Sequence, residues 1–335
     1  MSYFNDNYSI AKNHSPRYLV LWYNVSMIDF YYKTAKIKKL SRIKKIRDGV
    51  WIDVKKANED DLKKISEITG LSYLDLQDVL DPHELPRLER IDGNVILFVR
   101  SPKTTTEVVD FTHTNLLTII ITSQYFITIS PTENKVLKDI LKERIDVATT
   151  QRGKLLVYLL LGISHEFTKR IKEVRHQVSS KERNIDKINN KEILELIRIE
   201  EVLNQHISAL IPMKSVFENI TGGKYIYLYR EDEGLFEDLI ISIRQSVDLC
   251  QVNIKSIKAL RDSYQIIFTN RLNKVIQFLT AFTIIMTIPT IVASLYGMNV
   301  RLPLGESPFA FGYVLLISIA LSGLFLFTFY KKKWL

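Results

Sequence analysis

One cysteine, Cys250, occurs in 335 residues, which excludes an intramolecular disulfide and agrees with a reducing environment for the bulk of the chain. Its expected role is apolar packing. Catalytic signatures are missing too. The six histidines, at 14, 83, 113, 165, 176 and 206, show no His-Glu-x-x-His spacing. Neither a lysine-bearing phosphate loop nor a Gly-x-Ser-x-Gly turn occurs, so no enzyme is expected. His83, beside Asp81 and Glu84, reads as a capped turn and not as a ligand set. The opening Met1-Ser2-Tyr3-Phe4-Asn5-Asp6 lacks the basic segment and apolar run of a secretory signal.

Two stretches near the C-terminus lack charge altogether, residues 275–300 and 307–330. Their apolar cores, 275–295 and 309–330, each meet the roughly 20 residues a helix needs to cross about 30 Å of hydrocarbon. Arg271 and Lys274 precede the first, and Lys331, Lys332 and Lys333 follow the second. The turn between them carries only Arg301 and Glu306. The positive-inside bias therefore places both chain ends in the cytosol and the turn outside. Net charge is +9, densest between Lys33 and Arg47. No zinc-finger spacing, RNP-like strand or basic helix-turn-helix accompanies it, so the excess is read as a solvated surface near anionic lipid or inside an assembly, and no nucleic-acid partner is expected.

The first half alternates β-branched runs with helical patterns: strands are expected at 18–25, 50–54, 95–100, 116–122 and 125–130. A helix capped by Asn58 should run to about Ile68 and close at Gly70, and another should span 72–80, ending at Asp81-Pro82. Two long helices are expected over 151–183 and 191–219. The tyrosine-rich stretch at 225–229 is either a helix extension or a loop. Beyond it, Phe236, Ile240, Ile243, Val247, Cys250, Ile254, Ile257, Arg261, Tyr264 and Phe268 recur at alternating steps of four and three. This heptad seam predicts helix-on-helix assembly and supplies a candidate oligomerisation surface. With no proline or glycine from 235 to 288, one helix should run from the cytosol into the bilayer.

Within that first span the uncharged polar residues Asn273, Gln277, Thr280, Thr283, Thr287, Thr290 and Ser294 fall on one face, at gaps of four, three, three, four, three and four. Hydroxyls bonded to the carbonyl one turn back at a helix contact would explain such a stripe. An aqueous pore between several copies would explain it equally. Pro289 also frees the carbonyl of Ile285, which then needs water or protein.

Directly after the span stands Tyr296-Gly297-Met298-Asn299. With Ile288-Pro289-Thr290 before it, the long seam helix, the Lys-Lys-Lys-Trp-Leu ending, Trp51-Ile52-Asp53-Val54, and Leu76-Gln77-Asp78-Val79-Leu80-Asp81 followed by Pro86-Arg87, the chain resembles the CorA family of magnesium and cobalt transport proteins. That resemblance implies an α+β membrane protein forming a homopentameric funnel. Its parts would be a cytosolic α/β/α domain with long helices (1–225), a stalk helix (226–274), a pore-lining span (275–295), an external loop bearing the signature (296–308), a second span (309–330) and a basic tail (331–335). It would sit in the plasma or inner membrane and pass hydrated Mg²⁺, with Co²⁺ and Ni²⁺ as further substrates.

By the same resemblance, Tyr296, Gly297, Met298 and Asn299 form the selectivity filter and Lys331, Lys332 and Lys333 a basic ring. Ile276 and Leu279 match the apolar constriction, whereas the polar stripe places Gln277 and Thr280 on the axis. Asp238 on the stalk and Asp78 on the neighbouring subunit's α/β domain would hold a regulatory Mg²⁺ that closes the pore. Gln77 stands where the family often has an acid. The turn from Val300 to Glu306 lacks the acidic Met-Pro-Glu-Leu of many members, and Thr287 replaces a deep methionine found in some. Gly297 and Asn299 also fit a helix C-cap with positive φ. Two rivals remain: a zinc or other heavy-metal transporter of the same superfamily, against which the intact triplet weighs, and a membrane-anchored coiled-coil scaffold, against which the polar stripe weighs.

Overall fold

A computed structural model describes residues 28–36, 39–103, 114–142, 147–183, 190–222, 225, 232–300, 303 and 308–334. The strand expected at 18–25 lies outside these, as does all but residue 225 of the tyrosine-rich stretch. The chain divides into two units, one drawn from residues 1–181 and 191–257, the other from 182–190 and 258–335.

The first unit is built on a seven-stranded mixed sheet of order β2-β1-β3-β7-β6-β5-β4. Its strands are β1 (Ile28–Tyr32), β2 (Ser41–Arg42), β3 (Trp51–Lys55), β4 (Arg87–Ile91), β5 (Asn94–Pro102), β6 (Thr114–Ile121) and β7 (Phe126–Ser130). Only β3 and β7 pair in parallel; the other neighbours are antiparallel. Every residue of β7 and all but the first of β5 are buried, so both faces of the sheet are covered. Over one face lie α1 (Glu59–Thr69) and α2 (Tyr73–Leu76), whose Leu62, Ile65 and Leu76 join Ile52, Val54, Ile96, Phe98 and Ile127 in a single apolar cluster.

α1 starts where a capping box fixes it: Asn58 accepts from the Asp61 amide, and the Asp61 carboxylate accepts from the Asn58 amide. It stops at Gly70, whose φ of 75° suits glycine. The helix expected over 72–80 is divided into α2, with Ser72 as its N-cap, and a 3₁₀ turn over Gln77–Leu80. His83 sits in the expected capped turn, its amide donating to Asp81 Oδ1 at 2.8 Å.

Four strand or helix elements escape the sequence patterns: β1, β2, β4 and a short helix α3 (Lys135–Lys142). α3 lies against α4 (Arg152–Glu182), where the absence of a side chain at Gly162 leaves room for Val136 and Ile140. α4 is followed by α5 (Asn190–Thr221) and by α6, a single helix over Glu233–Tyr296.

The heptad seam of α6 is where the structure departs most from expectation. Phe236, Ile243, Val247, Cys250 and Ile257 are buried inside one chain. Their side of α6 meets α4 through Thr168 and Ser246 (Oγ1 to Oγ 2.7 Å) and through Arg175 Nη1 donating to Ser256 (3.2 Å). It meets α5 through Cys250 Sγ, which donates to the Leu203 carbonyl at 3.2 Å. From Phe236 to Ile257 the seam thus closes an intrachain helix bundle, whereas Phe268 at its end is exposed. A period of 3.5 announces helix packing without saying whose helix is the partner. Burial also pushes the Cys250 thiol up to about 12, so the residue is an inert packing group.

In the second unit α6 continues to Tyr296 and α7 covers Ala310–Lys331. Each holds a window long and apolar enough to cross a bilayer, and only 11% and 6% of those windows are buried, the reverse of a soluble core helix.

Candidate functional site

The membrane part of α6 presents two unlike faces. Ala281 and Val292 are buried and Ile284, Ile285 and Ile288 are half-buried, which marks the side shielded by α7. Ser322 of α7 confirms it, because its hydroxyl donates to the Ile285 carbonyl in a long hydrogen bond of 3.5 Å. This is the carbonyl that Pro289 leaves without its usual amide donor. Ile276, Leu279, Thr283, Thr287, Thr290 and Ser294 are all exposed in the single chain. At about 100° per residue these six fall within an arc of roughly 80°, centred about 155° from the side facing α7. Gln277 lies outside that arc and is half-buried.

The threonine hydroxyls are not free donors. Thr283 donates to Leu279 O (2.9 Å), Thr287 to Thr283 O (2.7 Å) and Thr290 to Met286 O (3.2 Å). Each hydroxyl has one proton and two lone pairs. With the proton committed to the backbone, the oxygen faces outward as an acceptor. Backbone satisfaction of the hydroxyls and an exposed position for their oxygens therefore coexist.

α6 ends at Tyr296, whose hydroxyl donates to the Pro303 carbonyl (3.3 Å) and ties the start of the turn to its middle. The amide of Gly297 donates to Ala293 O at 2.9 Å and that of Met298 to Leu295 O at 3.3 Å, so the last turn is satisfied by its own chain. Neither Gly297 nor Asn299 has positive φ, contrary to the expected C-cap. A Cβ at Gly297 would stand 3.3 Å from the Ala293 carbonyl oxygen, so the position is crowded and not twisted. Gly297, Met298 and Asn299 are exposed; Arg301 and Glu306 lie outside the described residues.

The other end of the hairpin is more ordered than a basic tail suggests. Lys333 adopts φ 57°, its amide donates to Tyr330 O, and the Trp334 amide donates to Phe329 O, both at 3.0 Å. These are the paired bonds of a Schellman closure. Its customary apolar contact is present as Trp334 stacked on Phe329, centroids 5.5 Å apart. Lys331, Lys332 and Lys333 are left exposed around it.

Asp78, in the 3₁₀ turn, and Asp238, in the first turns of α6, are both exposed. Among the described residues no group of three or more His, Cys, Asp or Glu gathers as a metal-ligand set. The stalk's Asp232 is instead buried against Lys154, 3.2 Å away. Sequence reading also missed the surroundings of Asp78. Its Oδ2 accepts from Arg87 Nη2 at 2.7 Å, and the same guanidinium bonds Glu89 (2.7 Å) and Glu84. Pro86-Arg87 is visible in the sequence, but nothing in the spacing announces three carboxylates around one side chain.

An α/β domain joined through one long helix to the first of two apolar spans, the second of which shields a single side of it, defines a membrane protein of the two-span type. Residues 47–332 match the family described as CorA-like Mg²⁺ transporter protein. The chain belongs to that family, whose members are transporters and not enzymes. It is 24% identical over 294 residues to the cobalt/magnesium transport protein CorA of Methanocaldococcus jannaschii, covering 85% of this chain and 91% of that protein. The protein of the same name from Thermotoga maritima is 21% identical over 331 residues, covering 93% and 91%. The complete structure of the M. jannaschii CorA magnesium transporter shares the fold with a TM-score of 0.81 at 20% identity, covering 93% of this chain and 99% of that one. The ZntB cytoplasmic domain from Vibrio parahaemolyticus shares it at 0.61 and 10% identity, over 74% and 98%.

Proposed function

We propose that this transporter is a passive homopentameric channel that admits hydrated Mg²⁺, and also Co²⁺, to the cytosol. The observation that carries the reading is the intact Gly297-Met298-Asn299 at the end of α6, directly above an exposed face of acceptor oxygens at Thr283, Thr287 and Thr290. One hairpin encloses nothing. Several copies turning that face inward and α7 outward would enclose a column with Ser294 and the threonines above and Ile276 and Leu279 below.

The chemistry suits Mg²⁺ because this ion is small, hard and slow to lose water. Its coordinated waters donate hydrogen bonds, and they meet side-chain oxygens that can only accept. Asn299 amide oxygens at the mouth would read the hydrated ion first. Exposure supports Ile276 and Leu279, not Gln277, as the lower lining. An apolar ring of that kind closes by excluding water. At 100 mV, inside negative, a divalent cation gains roughly 4.6 kcal/mol on entry, enough to drive uptake without a nucleotide. Cytosolic placement of both chain ends follows from the charge bias of the sequence, and the similar ZntB domain is described as cytoplasmic.

The reading is tested by cation flux into liposomes containing the purified protein, comparing Mg²⁺, Co²⁺ and Zn²⁺ under an imposed potential. Mg²⁺ entry that scales with the potential is expected. Zn²⁺ transport without Mg²⁺ transport would overturn it.

The same proposal assigns regulation to Asp78 and Asp238, on different copies. Like charges facing across a subunit boundary repel, and a bound cation removes that repulsion and holds the ring closed. Asp238→Asn, alone or with Asp78→Asn, should raise the internal Mg²⁺ concentration that halves the flux. Curves coinciding with the parent's would remove both residues from the regulatory site.

A further inference from the structure

We propose that Arg87 sets the cation affinity of Asp78 by occupying its carboxylate from within the same chain, so that a divalent ion must bind beside a fixed positive charge. The inference rests on the regulatory reading of Asp78 given above, and adds to it a residue that opposes the ion.

Three observations carry it. First, Asp78 is exposed enough to be reached by a neighbouring copy, its side chain being 55% accessible, yet its Oδ2 already accepts from Arg87 Nη2 at 2.7 Å. Second, Arg87 is held in place by more than Asp78. Its Nε donates to Glu89 Oε1 at 2.7 Å, its Nη1 donates to Glu84, and its guanidinium carbon lies 4.1 Å from the centroid of Phe98, a wholly buried ring. Third, the segment bearing Glu84 is itself pinned. Arg100 donates through Nη1 to Glu84 O (2.8 Å), through Nη2 to Pro82 O (2.9 Å) and through Nε to Thr114 Oγ1 (2.7 Å). The cluster is a built arrangement in which two other carboxylates and the Phe98 ring hold the guanidinium beside Asp78.

A planar guanidinium fixed by two other carboxylates behaves as a stationary charge. A divalent cation approaching Asp78 is repelled by it twice as strongly as a monovalent one would be. The carboxylate's second oxygen remains for an ion that keeps its water shell. Arg87 thus shifts closure to higher internal Mg²⁺.

The test uses the full-length protein in liposomes, with flux measured against free internal Mg²⁺ for the parent, Arg87→Gln, Arg87→Lys, Asp78→Asn and the double variant Arg87→Gln/Asp78→Asn. Arg87→Gln should lower the half-inhibiting concentration about three- to fivefold, the size of one partly exposed charge interaction. Arg87→Lys, which keeps the charge, should stay near the parent, and the double variant should coincide with Asp78→Asn. A purely structural role for Arg87 would not make its effect depend on Asp78. If Asp78→Asn shifts the curve but Arg87→Gln leaves it in place or moves it upward, the inference is overturned while the regulatory reading stands. If Asp78→Asn itself changes nothing, both fall. Should Arg87→Gln fail to assemble, Arg87→Met retains the packing over Phe98 and is read in the same way.

Discussion

Asn299→Ala is expected to abolish Mg²⁺ uptake while leaving assembly and insertion intact. Asn299 is exposed, follows the last satisfied turn of α6 and belongs to neither buried face of the hairpin. Its truncation therefore removes an amide and no packing. A hydrogen bond to a charged partner contributes about 1.5–3 kcal/mol, and about 1.4 kcal/mol is a tenfold change in rate or affinity. Loss of one such bond from each copy of a ring should reduce flux by at least about tenfold, with several losses compounding. The measurement is initial Mg²⁺ uptake into liposomes, with oligomer size checked in detergent. A correctly assembled variant with parental flux would take Asn299 out of the selection step.

Cysteines introduced singly at Thr283, Thr287, Thr290 and Ser294 should react with a small, positively charged, water-soluble thiol reagent and lose most of their flux. Cysteines at Ile284 and Ile288, half-buried on the α7 side, should not. The native thiol does not interfere, since Cys250 is buried and its ionisation is pushed up to about 12. Because Ile276 and Leu279 would shut the column from the cytosolic side, reagent belongs on the external side first and should be tried again after Mg²⁺ is chelated. Reactivity should fall with depth from Ser294 to Thr283 while the channel is closed. Protection of all four positions under both conditions, with transport intact, would show that the hydroxyls only serve their own helix and that ions pass elsewhere.

Much of this architecture can be read from the chain, for reasons that vary by element. β5, β6 and β7 are buried on both faces, so they appear as unbroken β-branched runs. β1 is hidden by Asp29, which is tolerated because Lys55 lies 2.7 Å from it on the next strand. β4 has charged residues at three of its five positions, as an edge strand can, and it carried a turn signal. Asp92-Gly93, both with positive φ, forms the two-residue turn that pairs Ile91 with Asn94. The seam of α6 was legible as packing, but periodicity carries no information on whether the partner is α4 and α5 of the same chain or another copy. For the candidate site, the triplet and the hydroxyl stripe are local features and could be read directly. That Gln277 is half-buried and Ile276 exposed needed the position of α7, and the Arg87 cluster needed the fold, because Asp78, Glu84 and Glu89 converge only when β4 turns its arginine toward all three.

The contact between Ser322 and the Ile285 carbonyl changes what α7 is for. Pro289 makes the first span locally soft at the level where ions would pass, and the hydroxyl that compensates is supplied by the neighbouring helix, 37 residues on. The stiffness of that turn is thus a property of the hairpin and not of either helix. A chimera that replaced only the second span would separate Pro289 from the hydroxyl that compensates for it, leaving a hinge that this chain holds closed. The hairpin should therefore be grafted whole.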